Sequence, residues 1–316
     1  MKLHIGDVEL NNNVVLGPMA GVCDLPFRLL CKEQGAGLIC TEMVSAKAIM
    51  YNNRNTKELL TIDERERPVS LQLFGSDPEI VSSQAARIEE LPFDILDLNM
   101  GCPVPKVVNN GEGSALMKNP ALAAEIAGAC VKAIKKPVTA KIRKGFDEDN
   151  LTAVELSKRL EDAGVSAIIV HGRTRQEFYS GKADWDIIRQ VKEAVSIPVI
   201  GSGDVTDGPT AKKMIDTTGV DGVMIARAAR GNPWIFREVV HFLETGEELP
   251  KPSWEEKKEV ILRHARMLSD FKGEYIAIRE MRKHVSWYTA GMPGSAKLRG
   301  HINEMETMEA LIALID

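Results

Sequence analysis

One cysteine stands on a sharp turn near the middle of the chain. Cys102 follows an apolar run at residues 93–98 and lies between Gly101 and Pro103. Glycine tolerates positive φ and proline fixes φ near about −65°, so these neighbours predict a tight corner at the end of a strand. A thiol on such a corner is either exposed at a rim, where it can act as an acid or a nucleophile, or buried as part of the core.

Charged and polar residues stand in other apolar runs as well. Lys141 lies inside one of them, where a lysine costs free energy unless it is paired or functional. Its structural alternative is an ion pair with Asp97 or Glu42. His171 ends a further run, and its ring either contacts a ligand or satisfies a hydrogen bond in the core. Both residues are candidates for a functional site.

The stretch of small and polar residues at 201–204, Gly-Ser-Gly-Asp, predicts an anion site. Small residues let backbone N–H groups approach an anion, and a helix that begins at Thr206 or Asp207 adds its N-terminal dipole. Arg227, at the end of the next apolar run, is a candidate partner for the same anion. The alternative is a plain glycine turn.

Short β-branched runs alternate with helical patterns up to about residue 240. The runs cover residues 14–18, 38–42, 69–74, 95–99, 138–142, 167–171, 198–201 and 222–226. Eight strands, each followed by a helix, predict an α/β fold of the (β/α)8 TIM-barrel type, with a doubly wound parallel sheet as the alternative. Function in such a barrel gathers where the strands end, so the candidate residues are predicted to converge on one rim.

The last part of the chain has a different pattern. After a polar linker at residues 245–252 only helical signals remain, so we predict a barrel domain at 1–244 and a small helical domain at 245–316. Between Arg263 and Arg299 there are eight basic and three acidic residues, a local net charge of +5 in a chain whose net charge is −5. This contrast indicates a local basic surface on an acidic body, and charge alone favours a solvated helix face over a nucleic-acid partner.

The composition is that of an ordinary globular protein of 316 residues, 44% hydrophobic and 27% charged. Its five cysteines form no CxxC pair and no zinc-ligand spacing, so we expect reduced thiols, no metal site and a cytoplasmic location. The first 20 residues have no signal-peptide pattern, and no stretch approaches the ~20 apolar residues of a membrane span. We therefore expect no membrane association.

Several motifs follow one another along the chain and together carry a family resemblance. They are Gly-Pro-Met-Ala-Gly-Val at 17–22, Asp-Leu-Asn-Met-Gly-Cys-Pro at 97–103, Gly-Ser-Ala-Leu at 113–116, His-Gly-Arg-Thr at 171–174 and Gly-Asn-Pro-Trp-Ile-Phe at 231–236. In this order they resemble the bacterial tRNA-dihydrouridine synthases over the whole length of the chain.

The resemblance implies a reaction and a set of site residues. It implies an FMN enzyme that draws electrons from NADPH and reduces the C5–C6 double bond of particular uridines in tRNA. Cys102 matches the proton donor to C5, reduced FMN donates hydride to C6, and Asn99 and Arg143 match positions near the target uracil. The flavin-contacting positions are matched by Pro18, Met19, Ala20, Gln72, Lys141, His171, Ser202, Gly203, Asp204, Ala226 and Arg227.

The resemblance also gives the basic C-terminal segment a partner. Arg279, Arg282 and Lys283 stand at i, i+3 and i+4, which places them on one helix face, and we expect them to contact tRNA phosphates. No obligate protein partner is expected. One alternative is an FMN-dependent dihydropyrimidine or dihydroorotate dehydrogenase, which would have no need of a basic helical segment. The other is a tRNA-binding protein without catalysis, which would have no need of an intact Cys102 and Lys141.

Overall fold

The computed structural model describes residues 2–54, 56–292 and 294–316. The strands are β1 Leu3–Ile5, β2 Val8–Leu10, β3 Val14–Leu16, β4 Leu38–Ser45, β5 Val69–Phe74, β6 Ile95–Asn99, β7 Val138–Gly145, β8 Ala167–Thr174, β9 Val199–Ser202 and β10 Gly222–Ile225. The helices up to the end of the barrel are α1 Leu25–Glu33, α2 Ala46–Met50, α3 Thr56–Leu59, α4 Pro78–Ile88, α5 Pro105–Val108, α6 Pro120–Ala133, α7 Ala153–Asp162, α8 Trp185–Ala194, α9 Gly208–Thr218 and α10 Ile235–Thr245. Four more helices follow, namely α11 Trp254–Lys272, α12 Glu274–Tyr288, α13 Ser295–Glu304 and α14 Met308–Ile315.

Strands β3 to β10 close into a barrel, in the spatial order β10-β3-β4-β5-β6-β7-β8-β9. Every neighbouring pair in this barrel is parallel. The predicted TIM barrel is therefore confirmed, and each of the eight predicted runs overlaps one of its strands. Strands β4, β7 and β8 continue three residues beyond the predicted ends, so Lys141, Arg143 and His171 lie within strands and not at their last residue.

The helices around the barrel begin where the sequence places a capping residue. Asp77 accepts a hydrogen bond from the backbone N–H of Ile80 and is followed by Pro78, which has no N–H to leave unpaired at the first helical position. Asn119 and Pro120 repeat this arrangement at the start of α6. The start of α9 differs by one residue from the prediction, since Asp207 is the cap and the helix begins at Gly208.

An N-terminal hairpin, absent from the sequence prediction, closes one end of the barrel. β1 and β2 pair antiparallel, and Leu3, Ile5 and Leu10 pack against the inward-facing residues at the N-terminal ends of the barrel strands. Each hairpin strand has three residues, too few to give a periodic signal in the sequence. With this end filled, only the opposite end of the barrel is available for a site.

The four C-terminal helices have a hydrophobic cluster of their own. Ile261, Leu268, Met281 and Val285 are fully buried in it, and Trp234 from the end of the barrel segment joins the same cluster. α11 packs against α1 of the barrel. Within the described residues, no helix has the length and apolar character that a membrane crossing requires.

Candidate active site

The turn after β6 is held by the strand residue that precedes it. The Asn99 side-chain oxygen accepts hydrogen bonds from the backbone N–H of Gly101 (3.2 Å) and of Cys102 (2.9 Å). On the other side, Ser114 donates to the Cys102 carbonyl through its hydroxyl (2.8 Å) and its backbone N–H (3.1 Å). Gly113 has a φ of 59°, and a Cβ there would lie 2.9 Å from the Cys102 carbonyl oxygen. The thiol is therefore carried on a turn that is fixed from both sides.

A chain of hydrogen bonds links this turn to the interior of the barrel. Asp97 is 1% exposed and accepts from the Thr139 hydroxyl (2.7 Å) and from the Gln72 amide nitrogen (2.6 Å). The Gln72 amide oxygen accepts from the Asn99 amide nitrogen (2.7 Å). Asp97 thereby sets the orientation of both amides, and that orientation presents the Asn99 oxygen to the Cys102 turn. We call Thr139, Asp97, Gln72 and Asn99 the barrel relay.

The Cys102 thiol is half-buried, whereas the other four cysteines are buried. Desolvation raises the pKa of Cys102 above its ordinary value of 9.0 and outweighs the Val104 backbone hydrogen bond and the nearby charges of Arg143 and Lys141, which lower it. The group is therefore a protonated thiol at pH 7. That state can donate a proton, whereas a nucleophilic role would require the thiolate.

Two cations lie beside the relay on β7. Lys141 is half-buried, and among the described residues it forms no ion pair with Asp97 or Glu42, so the structural alternative for this lysine is not observed. Arg143 is 3% exposed and donates to the carbonyls of Gly101 (2.8 Å), Thr174 (2.7 Å) and Phe178 (2.9 Å). Arg143 therefore supports the Cys102 turn and ties it to the segment after β8.

The residues at the C-terminal ends of the barrel strands form the open end of the barrel, which we call its mouth. The ends of β8, β9 and β10 form a second part of this mouth. Asp204 accepts from the Arg173 guanidinium (2.9 Å), from the Ala183 backbone N–H (2.7 Å) and from the Arg227 guanidinium (3.3 Å). Gly203 has a φ of 117°, in the region that favours glycine. Ser202 is buried beside it. The predicted segment 202–204 thus runs from the last residue of β9 into a loop, where Asp204 binds two arginines.

His171 is 8% exposed, and its Nδ1 accepts from the backbone N–H of Arg173 at 3.2 Å. Burial, and then the charges of Lys141 and Arg143, hold the pKa of His171 well below its usual range. The neutral ring therefore has its proton on Nε2. The structural alternative left open by the sequence is observed at Nδ1, and Nε2 is a donor beside Gly203.

The segment after β3 lies next to the end of β10. The Gly17 backbone N–H donates to the Ile225 carbonyl (2.8 Å), and a Cβ on Gly17 would lie 3.1 Å from the Ala226 Cβ. Pro18 and Met19 are half-buried and Ala20 is exposed. These predicted contact residues line the same rim as Ala226.

The three predicted RNA-contacting residues on α12 have different surroundings. Arg279 stacks on Tyr275 and approaches Glu306, and Arg282 donates to the Met305 carbonyl at 3.0 and 2.7 Å, so both make contacts within the C-terminal helices. Lys283 points to the barrel, where a Cβ on Gly21 would lie 3.8 Å from its Nζ. Lys283 is the member of this set that lies at the mouth of the barrel.

Two candidates at the mouth were missed by the sequence analysis. Arg173 is 2% exposed, and its Nη1 atom has no hydrogen-bond partner among the described residues. Tyr179 is 45% exposed and lies between two guanidiniums, with the Arg227 carbon 4.9 Å and the Arg143 carbon 5.7 Å from its ring centroid. The sequence does contain a signal for Arg173, because an arginine within a strand is unusual unless it is paired or functional. It contains none for Tyr179, because the position of that residue depends on the conformation of a loop.

Comparisons with known proteins identify the family of this chain. The dihydrouridine synthase (Dus) family matches residues 15–316. The chain is 44% identical over 313 residues to tRNA-dihydrouridine synthase B of Pseudomonas aeruginosa, covering 99% of this chain and 94% of the relative. It is also 44% identical over 304 residues to a probable tRNA-dihydrouridine synthase of Rickettsia bellii, covering 96% of this chain and 93% of the relative.

Solved structures with the same barrel are more distant. Histamine dehydrogenase from Rhizobium sp. 4-9 matches 84% of this chain with a TM-score of 0.57 at 15% identity, and the match spans 50% of that chain. The 6-hydroxypseudooxynicotine amine oxidase from Pseudomonas geniculata N1 matches 77% of this chain with a TM-score of 0.62 at 16% identity, over 49% of that chain. These likenesses support the fold alone. By its family match and its relatives, the chain belongs to the dihydrouridine synthase family and is an enzyme.

Proposed function

We propose that this enzyme is a tRNA-dihydrouridine synthase, which binds FMN, takes electrons from NADPH and reduces the C5–C6 double bond of uridines in tRNA. The observation that carries the proposal is the Cys102 thiol, a protonated acid held at the mouth of the barrel by Asn99. Relatives of nearly the same length that are named for this activity support it. The five free thiols fit a cytoplasmic location.

The loops after β9 and β10 fit the phosphate group of FMN. The guanidiniums of Arg173 and Arg227 stand against the single carboxylate of Asp204, which leaves a net positive charge for an anion. The unpartnered Nη1 of Arg173 is a buried donor of the kind that a phosphate oxygen satisfies. We assign the phosphate to Ser202, Gly203, Asp204, Ala226 and Arg227, with Arg173 as an addition.

The inner part of the mouth fits the flavin ring. Desolvation, and then the charge of Arg143, lower the pKa of Lys141 to about 8, so its side chain is still mainly an ammonium at pH 7. An ammonium without an ion-pair partner is suited to the negative charge of a reduced flavin ring. We assign the ring contacts to Lys141, His171 and Gln72, and one wall to residues 18–20. When bound, the reduced flavin supplies hydride to C6 of the uracil.

Cys102 supplies the proton that completes the reduction. The S–H bond breaks as a new C–H bond forms at C5, and the resulting thiolate takes a proton back from solvent. Arg143 and Lys141 both lower the pKa of the thiol, so they stabilise the thiolate at that moment, although burial keeps the resting group protonated. Asn99 fixes the turn, and with Arg143 it lies close enough to Cys102 to border the uracil.

The division of the chain into a catalytic barrel at 1–244 and a tRNA-binding part at 245–316 is part of the proposal. The boundary falls at the last residue of α10, and the helices beyond it have their own hydrophobic cluster. Lys283 extends from α12 to the barrel rim, so RNA held on the helices can reach the mouth. A uridine in a loop costs little to unstack, which suits a base that must enter a barrel.

Replacement of Cys102 tests the function directly. In cells that lack the native gene, we expect the wild-type chain to restore dihydrouridine in tRNA, as mapped by sequencing or mass spectrometry, and Cys102→Ala to restore almost none. The purified variant should still bind flavin and oxidise NADPH, because the thiol is needed only for the proton at C5. Normal dihydrouridine levels with Cys102→Ala, or no dihydrouridine with the wild-type chain, would contradict the proposal.

The pH dependence of flavin binding tests the assignment of Lys141. Below its pKa of about 8 the lysine is an ammonium, so the affinity for reduced FMN should be constant there. Above that pH the affinity should fall, by at most about tenfold per pH unit, because binding must then also take up a proton. The Lys141→Met variant should bind more weakly at pH 7 and show no fall near pH 8. An affinity that stays constant to about pH 9.5 in the wild-type protein would exclude Lys141 as a ring contact.

Lys283→Ala tests the RNA surface without removing the contact that Arg282 makes within the C-terminal helices. We expect a several-fold higher Kd for tRNA, measured by filter binding over a salt series. The slope of log Kd against the logarithm of the salt concentration should be smaller by about one, because one fewer counterion is released on binding. Lys135→Ala is a matched control, since this exposed lysine precedes β7 at the opposite end of the barrel. Equal effects of the two substitutions would refute the proposed surface.

A further inference from the structure

Three buried side chains meet where the barrel contacts the C-terminal helices. Asp24, the N-cap of α1, faces His264 of α11 and His284 of α12. Asp24 is 6% exposed and both histidines are fully buried. One potential ligand atom from each residue lies within 4.8 Å of the others. None of the three has a part in the proposed reaction.

The distances within this cluster are too long for good hydrogen bonds. His264 Nε2 lies 3.5 Å from Asp24 Oδ1, and His284 Nε2 lies 3.3 Å from Asp24 Oδ2. An N–H···O bond is usually about 2.7–3.2 Å long. Among the described residues, Asp24 Oδ2 and both Nε2 atoms have no hydrogen-bond partner. Such buried groups cost free energy unless something satisfies them together.

The same distances fit a shared metal ion. Zinc binds histidine nitrogen and carboxylate oxygen at about 2.0–2.2 Å, so two ligands of a tetrahedral site lie about 3.3–3.5 Å apart. His284 Nε2 and Asp24 Oδ2, which are 3.3 Å apart, have such a separation, and the ligand atoms of all three residues lie within 4.8 Å of one another. Each of the three residues offers one ligand atom, which leaves the fourth position of a tetrahedral site to a water molecule. Oδ2 of Asp24 is the candidate oxygen, since Oδ1 already accepts from the N–H of Phe27.

The surroundings hold one ligand in the orientation that a metal requires. His264 Nδ1 lies 3.2 Å from the Tyr288 hydroxyl, so its second nitrogen has a partner while Nε2 faces the cluster. Metal-binding histidines usually have such a partner on the other nitrogen. The ring of Phe27 stacks on His264, and Trp287 packs edge-on against His284, which gives the cluster apolar walls. The neighbouring thiol of Cys23 is directed away, to the Gly17 carbonyl.

We propose that Asp24, His264 and His284 bind one divalent first-row transition metal ion, with Zn²⁺ as the best match to two imidazoles and a carboxylate. The ion would join α1, which follows the rim segment 17–24, to α11 and α12, and so fix the C-terminal helices to the barrel. The sequence predicts no metal site, because Asp24 is far in sequence from the two histidines and the three residues have no ligand spacing. The site is independent of the proposed reaction.

Metal analysis of the untagged holoenzyme tests this proposal. After incubation with Zn²⁺ and removal of free metal, we expect about one zinc per chain by inductively coupled plasma mass spectrometry, and a melting temperature higher by roughly 3 °C than after chelation. Co²⁺ in its place should give visible absorption bands at longer wavelength than the flavin. These measurements use the wild-type protein, so they test the proposal even if a ligand variant fails to fold.

Variants then assign the ligands. Asp24→Asn keeps a good helix cap but loses the charge, and we expect it, His264→Gln and His284→Gln each to lower zinc affinity at least tenfold. Tyr288→Phe should lower it about tenfold through His264, whereas the exposed control His4→Gln should retain zinc. Less than about a tenth of an ion in the wild-type protein, or equal zinc in the three ligand variants, would overturn the proposal and leave a metal-free Asp–His–His cluster.

Discussion

A carboxylate buried inside the barrel is the constraint on which the mouth of this enzyme depends. Asp97 must have donors for both oxygens, and the strand register supplies them, because it pairs Asp97 with Gln72 on one side and with Thr139 on the other. Once Gln72 turns its amide nitrogen to Asp97, its oxygen faces Asn99, and Asn99 presents its own oxygen to the backbone of Cys102. The position of the thiol thus follows from the burial of one charge two positions before the end of β6.

The electrostatics of the mouth are a second consequence of the barrel. Alternate residues of β7 point to the same side, so Lys141 and Arg143 follow Thr139 into the mouth. Together with Arg173 and Arg227 they outnumber the nearby carboxylates of Asp97 and Asp204, and the excess suits an anionic cofactor and the phosphates of RNA. The same cations lower the pKa of Cys102, but desolvation has the larger effect. The thiol therefore stays protonated in a positively charged site, a combination that favours an acid over a nucleophile.

The sequence predicts the parts of this structure that depend on local patterns. The eight strands, the capped starts of α4 and α6, and the turn at Cys102 follow from hydrophobic runs and from proline and glycine. The barrel relay could not be predicted, because it requires the register of three neighbouring strands. Neither could the separate contacts of Arg279, Arg282 and Lys283, since helical spacing places them on one face but does not say what that face meets. The cluster around Asp24 forms only when distant segments pack together.

The protonation state of Cys102 is the central claim, and the rate of its alkylation by iodoacetamide measures it most directly. The flavin-free protein would be treated over a pH series and the modified peptide quantified by mass spectrometry, with the four buried cysteines as internal controls. The account predicts slow alkylation at pH 7 and a rate that still rises beyond the ordinary thiol pKa of 9.0. A rate that reaches its plateau below about pH 8 would mean a thiolate at neutral pH and would contradict the assignment of Cys102 as the proton donor.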